Sequence, residues 1–277
     1  MTPTDQNTLS ENYSVTAFYG IDASSTSANS FYKTVVHWCA QVGYPPEKIV
    51  VHGSGYSGKY VSFNRTNSKL QKVGFDGVQD FEIYSLRPGA KKTMFDYYID
   101  VIFNGESENN GKFESSYAAI AVSSHISTLS SDSLLPLVQA MIQSLKPVYG
   151  IGYTRQRKDG PLLYVVGIGQ GIRPTSGPEY EEAVRHAHWG RLGMRRQIYR
   201  EGTIRDVYPW NFLTTPHLEA EINGSSLQQW IQQDINRGSL SLLNDGVWLW
   251  DVAEPNIPGV RSTLWDAGII FNWRNYL

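Results

Sequence analysis

Thr203-Ile204-Arg205-Asp206-Val207-Tyr208-Pro209-Trp210-Asn211-Phe212-Leu213 and Gly246-Val247-Trp248-Leu249-Trp250-Asp251-Val252 decide how the second half of this chain folds. A proline restricts the residue before it to extended backbone, so Pro209 predicts an extended segment at Tyr208. The second stretch alternates with the period of a strand. Val247, Leu249 and Asp251 share one face, and Trp248, Trp250 and Val252 share the other. It reads as the strand that answers the first. Indoles need a large surface to cover them, so Trp248 and Trp250 are predicted to be buried beneath a helix over 258–267.

Working outward, a helix is predicted after the serines at 130–133, with Leu134, Leu135, Leu137, Val138, Met141, Ile142 and Leu145 on its apolar face and Pro147 as its stop. Residues 149–154 and 161–167 read as a hairpin. A charged helix over 178–196 and a further helix over 227–235 follow. Gly268 breaks the last helix, and residues 269–271 are read as closing the sheet.

The first half opens with a strand over 13–21. Phe31, Val35, Trp38, Cys39 and Val42 then recur at helical spacing, and a second strand covers 48–52. A long connection over 53–74 is given a short helix at 68–73. Strands at 80–86, 95–103 and 116–122, joined by turn residues, suggest an antiparallel meander. The expected architecture is α+β, with two lobes, each an antiparallel sheet with helices mainly on one face. Residues 1–11 are expected to be a disordered tail, 12–125 an N-terminal α+β lobe and 126–277 a C-terminal α+β lobe.

Composition excludes several classes. Hydrophobic residues at 41% and charged residues at 18% describe a globular chain, not a disordered one. A net charge of -2 with no basic stripe argues against nucleic-acid binding. No apolar run approaches the ~18 residues a membrane span requires. The polar start has no signal-peptide pattern, and the single cysteine, Cys39, cannot form an internal disulfide. A reducing, cytoplasmic location is expected, with Cys39 a buried thiol.

No motif announces a reaction. Gly53-Ser54-Gly55-Tyr56-Ser57-Gly58 matches the spacing of a dinucleotide loop, but Lys59-Tyr60-Val61-Ser62-Phe63 is strand-like where a helix should open. Ser57 is misplaced for a nucleophile elbow, although His52 is near in sequence. His186 and His188 would point to different sides of a helix and cannot share a metal there. No catalytic residue, cofactor or metal is assigned. Carboxylate pairs such as Asp96 with Asp100 read as solvated faces. Asp96, Tyr98 and Asp100 are expected on one strand face.

Several segments, in order, resemble a family of bacterial immunity proteins that accompany polymorphic toxins and type VI secretion effectors. They are Pro147-Val148-Tyr149-Gly150-Ile151-Gly152-Tyr153, Gly160-Pro161-Leu162-Leu163-Tyr164, the Arg205-to-Leu213 stretch, Leu227-Gln228-Gln229-Trp230-Ile231, Gly238-Ser239-Leu240 and Trp248-Leu249-Trp250. The resemblance covers roughly residues 130–275. It implies a non-enzymatic protein that binds and neutralises a cognate toxin effector, with nucleases among the targets. Nuclease clefts are basic around their carboxylates, so an inhibitor would offer acids. Glu106, Glu108 and Glu114, and Glu179, Glu181 and Glu182, are the candidate partner-binding residues.

The alternatives are a ligand- or glycan-binding module and an enzyme with a carboxylate site. They differ in what they predict. An inhibitor needs no deep pocket. An enzyme needs one with converging titratable groups. A glycan binder needs a shallow groove with solvent-facing aromatics.

Overall fold

The structure is a computed structural model and describes residues 10–88, 96–105, 116–129, 132–167, 184, 187–189, 198–199, 201–244 and 246–276. Its strands are β1 (Asn12–Tyr19), β2 (Lys48–Gly53), β3 (Tyr56–Ser57), β4 (Val61–Ser62), β5 (Val78–Leu86), β6 (Tyr97–Asn104), β7 (Tyr117–Ser123), β8 (Tyr149–Gln156), β9 (Trp210–Leu213), β10 (Glu221–Ile222), β11 (Ser225–Ser226), β12 (Ser239–Asn244) and β13 (Val247–Asp251). Its helices are α1 (Ser25–Gln41), α2 (Phe63–Val73), α3 (Leu134–Leu145), α4 (Pro161–Val165), α5 (Thr215–Leu218), α6 (Leu227–Gln232) and α7 (Ile257–Asp266).

The class is α+β, and the large sheet is antiparallel. Its eleven strands run in the order β12-β13-β9-β8-β1-β7-β6-β5-β2-β3, with β4 also on β2. The strand sets expected in two lobes are therefore joined edge to edge. The join is β1: Ala17 lies opposite Ala119 of β7 on one side and opposite Ile151 of β8 on the other. A fully hydrogen-bonded central strand leaves neither set with a free edge there. The predicted pairing of the two opening stretches also holds, with Trp248 opposite Leu213 and Asp251 opposite Trp210.

Both faces of the sheet are covered. The three longest helices, α1, α2 and α3, lie on one face over Phe18, Phe81, Phe103 and Ile120. Ser24 caps α1 by accepting from the Ser27 amide at 3.3 Å. In α3, Leu134, Leu137, Val138, Met141, Ile142 and Leu145 are buried, as their spacing requires. Strand β8 alternates aromatic and glycine residues for a steric reason. Tyr149, Ile151 and Tyr153 fill the opposite core. A Cβ at Gly150 would lie 2.6 Å from a Phe18 ring carbon, and one at Gly152 would lie 2.8 Å from the Trp210 Cβ.

On that opposite face the second half supplies the cover. Trp250 is fully buried and Trp248 partly so, packed with Val260 and Leu264 of α7. Cys39 is buried in the α1 face, and burial pushes its thiol up to about 12.

Four local expectations are corrected. The predicted hairpin partner at 161–167 is the helix α4, because Pro161 occupies its first turn after the left-handed Gly160. Helix α2 starts at Phe63 rather than near 68, since the β4 pairing ends at Ser62. Residues 269–271 do not close the sheet; Ile270 makes one isolated parallel bridge to Ile204. Asp96, Tyr98 and Asp100 do not act as one face. The register shifts between Ser85 and Leu86, which turns Tyr98 toward Tyr44 on the α1 side and leaves Asp100 on the other face. The helix expected at 178–196 lies almost wholly outside the described residues, as does the N-terminal tail up to residue 9.

Candidate functional site

On the sheet face opposite α1, the strands β5, β6 and β7 meet α4 and the turn before it around a cavity of about 480 Å³. Register explains its floor. Tyr84 of β5 lies opposite Asp100 of β6, and Glu82 lies opposite Ile102, so the two carboxyls are diagonal neighbours on one face. Tyr117 of β7 and Tyr97 complete the aromatic floor. Leu162, Leu163 and Val166 form the apolar wall, and Arg157 and Lys158 stand at the turn that leads into α4.

The electrostatics of this floor are unusual. Asp100 is 6% exposed, and its Oδ1 has no hydrogen-bond partner among the described residues. Burial, with the Glu82 carboxylate beside it, holds the Asp100 carboxyl well above the usual carboxylate range. The Tyr84 hydroxyl donates to a Glu82 carboxylate oxygen. Burial and the two carboxyls push the Tyr84 phenol up, and burial pushes Tyr117 up to about 12.

The turn beside the cavity is fixed by ion pairs. Arg157 Nη2 lies 3.1 Å from Asp96 Oδ1, which ties the turn to the start of β6. Arg87 pairs with the buried Glu11 and donates at 2.8 Å to the Tyr13 hydroxyl, which in turn donates to the Tyr97 carbonyl at 2.6 Å. The Tyr97 carbonyl is thereby held by a side chain from β1, one strand beyond its neighbour β7, and by Arg87, which also donates to it at 3.3 Å.

A second buried polar centre lies under α4. Arg205 is fully buried and donates to the carbonyls of Val165 at 3.0 Å and Tyr164 at 2.7 Å. Asp206 beside it accepts from Arg261 of α7 at 2.6 Å. The Arg205 and Asp206 side chains are shut away from solvent and, with Arg261, pin the extended 203–209 segment. They are structural.

The structure brings His52 close to Ser57 and Asp80 through the pairing of β2 with β3 and β5. His52 Nδ1 lies 2.5 Å from Asp80 Oδ1. The other ring nitrogen faces Gly58, where a Cβ would fall 2.2 Å from it. Among the described residues no side-chain hydrogen bond joins Ser57 to His52; the imidazole packs against the Gly58 backbone, and its side chain is half exposed. The glycines at 53–58 form the tight β2–β3 turn, and the next helix, α2, opens only after β4.

The acids singled out as partner-binding, Glu106, Glu108, Glu114, Glu179, Glu181 and Glu182, lie outside the described residues. Glu82 and Asp100 were not paired by the sequence reading. A signal existed. Residues 80–84 and 98–101 both alternate polar and apolar side chains, and a meander can set the polar positions of neighbouring strands on one face.

No protein-family model matches the chain, and no curated protein matches it. The fold is similar to that of Pseudomonas aeruginosa T6SS protein PA0821, with a TM-score of 0.58 and 12% identity. That match covers 94% of this chain and 73% of the other. At that identity the likeness is one of fold. Among the described residues, no helix is long and apolar enough to cross a membrane.

Proposed function

We propose that this protein is a non-catalytic immunity protein of a type VI secretion system, acting in the cytoplasm by binding and neutralising a cognate toxin effector. The observation that carries the reading is the fold shared along 94% of the chain with a protein named for that system. The aromatic and turn segments of the second half, which resemble the immunity family, support it independently. A rigid sheet buried on both faces suits an inhibitor, which binds best when little has to be ordered on association.

If the effector is a nuclease, the acidic residues Glu106, Glu108, Glu114, Glu179, Glu181 and Glu182 supply the attraction. Reversing Glu106 and Glu108 to Lys then slows association by about ten-fold at low salt, and the difference shrinks as salt rises. The primary test is co-expression with the effector encoded beside it in a susceptible host. Survival supports the reading, and equal killing with and without the protein ends it.

One observation favours a second reading, an enzyme with a carboxylate site. The cavity holds a carboxyl with a raised pKa beside another carboxyl, the pattern of an acid–base pair. Protection in the co-expression assay separates the two. An immunity protein with Glu82→Gln still protects if the cavity is not its means of inhibition, whereas an enzyme that destroys the toxin's product loses protection outright.

A further inference from the structure

We propose that the cavity between β5, β6, β7 and α4 is a binding site for an organic cation, a primary ammonium or guanidinium on an apolar or aromatic body, seated with its charge between Glu82 and Asp100. The inference stands apart from the immunity reading, because it concerns what the purified protein binds.

Three features select the ligand. The floor carries two carboxyls on adjacent strands, and Asp100 lines it while more than nine-tenths buried; its Oδ1, closed off from solvent, has no hydrogen-bond partner among the described residues. A buried acceptor left unpaired is unfavourable, and a donor brought by a ligand offsets that cost. The rings of Tyr84, Tyr97 and Tyr117 surround the acids, and aromatic faces attract a desolvated cation. Leu162, Leu163 and Val166 offer an apolar wall for a body larger than the charged head.

A bare divalent ion does not fit. Calcium and magnesium take at least ~6 oxygen ligands, whereas this cavity supplies two carboxyls against an apolar wall. The basic residues at the turn do not fill the place. Arg157 is engaged by Asp96 at 3.1 Å, and the Lys158 side chain is exposed.

Binding is linked to a proton. Burial and the Glu82 carboxylate raise the Asp100 pKa, with Glu82 and Tyr84 of β5, Tyr97 of β6, Tyr117 of β7 and Tyr60 before β4 facing it, and Arg157 and Lys158 beyond. An arriving cation favours the ionised carboxylate, so below the raised pKa the Asp100 proton leaves to solvent as the ion pair forms. Affinity rises with pH over that range, up to about ten-fold per unit.

The experiment is calorimetric titration of the full chain with tyramine, agmatine and acetyl-Ala-Lys-Ala-amide, at pH 6 and pH 8 and in buffers of different ionisation enthalpy. The control is 3-(4-hydroxyphenyl)propionate, which keeps the body of tyramine and reverses its charge. The expected result is binding of at least one cation, at least ten-fold tighter than the control, with proton release. Asp100→Asn and Glu82→Gln each weaken it at least ten-fold while the circular dichroism spectrum is kept. Tighter binding of the free amines assigns the site to small molecules, and tighter binding of the peptide assigns it to a partner's lysine. Cations that bind no better than the control, or equally well to both variants, overturn the proposal. If Asp100→Asn fails to fold, Glu82→Gln alone decides.

Discussion

The guanidinium of Arg205 donates to the hydroxyl of Tyr19 at 3.0 Å, across 186 residues of sequence, and that hydroxyl donates in turn to the Val165 carbonyl at 2.9 Å. The contact fastens the segment before β9 to the central strand β1 and to α4 at one point. Both side chains are buried.

Arg205→Met keeps most of the volume and removes the donors. Three hydrogen bonds from the guanidinium are lost, to the Tyr19 hydroxyl and to the Tyr164 and Val165 carbonyls, although the Gly167 amide and the Tyr19 hydroxyl still donate to those carbonyls. Hydrogen bonds to a charged group are worth about 1.5–3 kcal/mol each, so the expected loss in urea unfolding is about 3 kcal/mol or more. A loss under about 1 kcal/mol would show that water replaces the guanidinium.

Trp250→Ala empties a site that is fully buried, where the indole nitrogen also donates to the Arg237 carbonyl at 2.8 Å. A loss of about 3–5 kcal/mol is expected. Trp248→Ala, at a half-buried position, costs less. Equal denaturation midpoints for the two variants would contradict the packing described above.

His217 gives the fold an acid sensitivity. Burial lowers its pKa to about 4 from 6.5, and its ring stacks on Tyr149 at 5.4 Å. A folded pKa below the unfolded one means stability fully present above pH 6.5 and lost progressively toward pH 4. The loss is roughly 3 kcal/mol. Asp100 acts in the opposite sense. Its folded pKa is raised, so its contribution is present at low pH and lost as pH rises through the folded value. Thermal unfolding from pH 4 to pH 9 should therefore show His217→Gln flattening the loss toward acid and Asp100→Asn flattening the loss as pH rises. Unchanged profiles in both variants would refute these assignments.

Gly53 sits where β2 turns into β3, at φ +132, and a Cβ there would fall 2.0 Å from the Gly77 carbonyl oxygen. Gly53→Ala should cost more than about 1 kcal/mol, because backbone cannot move aside as a side chain can. Gly43→Ala meets nothing within 4 Å and carries only its own backbone penalty. The two melting temperatures, compared directly, check the claim.

Local pattern made much of this fold legible. The alternation at 247–252, the helical spacing of Leu134 through Leu145 and the turn residues of the meander each report on neighbours only a few residues away. The short helix at Pro161 was misread because four of its residues, Leu162 to Val165, suit a strand equally well, and so short an apolar run has no period to decide it.

The sequence by itself determined the α+β class, the antiparallel pairing of the 203–213 and 246–252 stretches, and the burial of Trp250. Those follow from side-chain period and size. Only the tertiary structure decided that β1 unites the strands of both halves, that one register shift parts Asp100 from Tyr98, and that Glu82, Asp100 and α4 enclose a cavity. These depend on contacts between residues far apart in the chain. A strand's own pattern says which side chains share a face, but not which strand lies beside it.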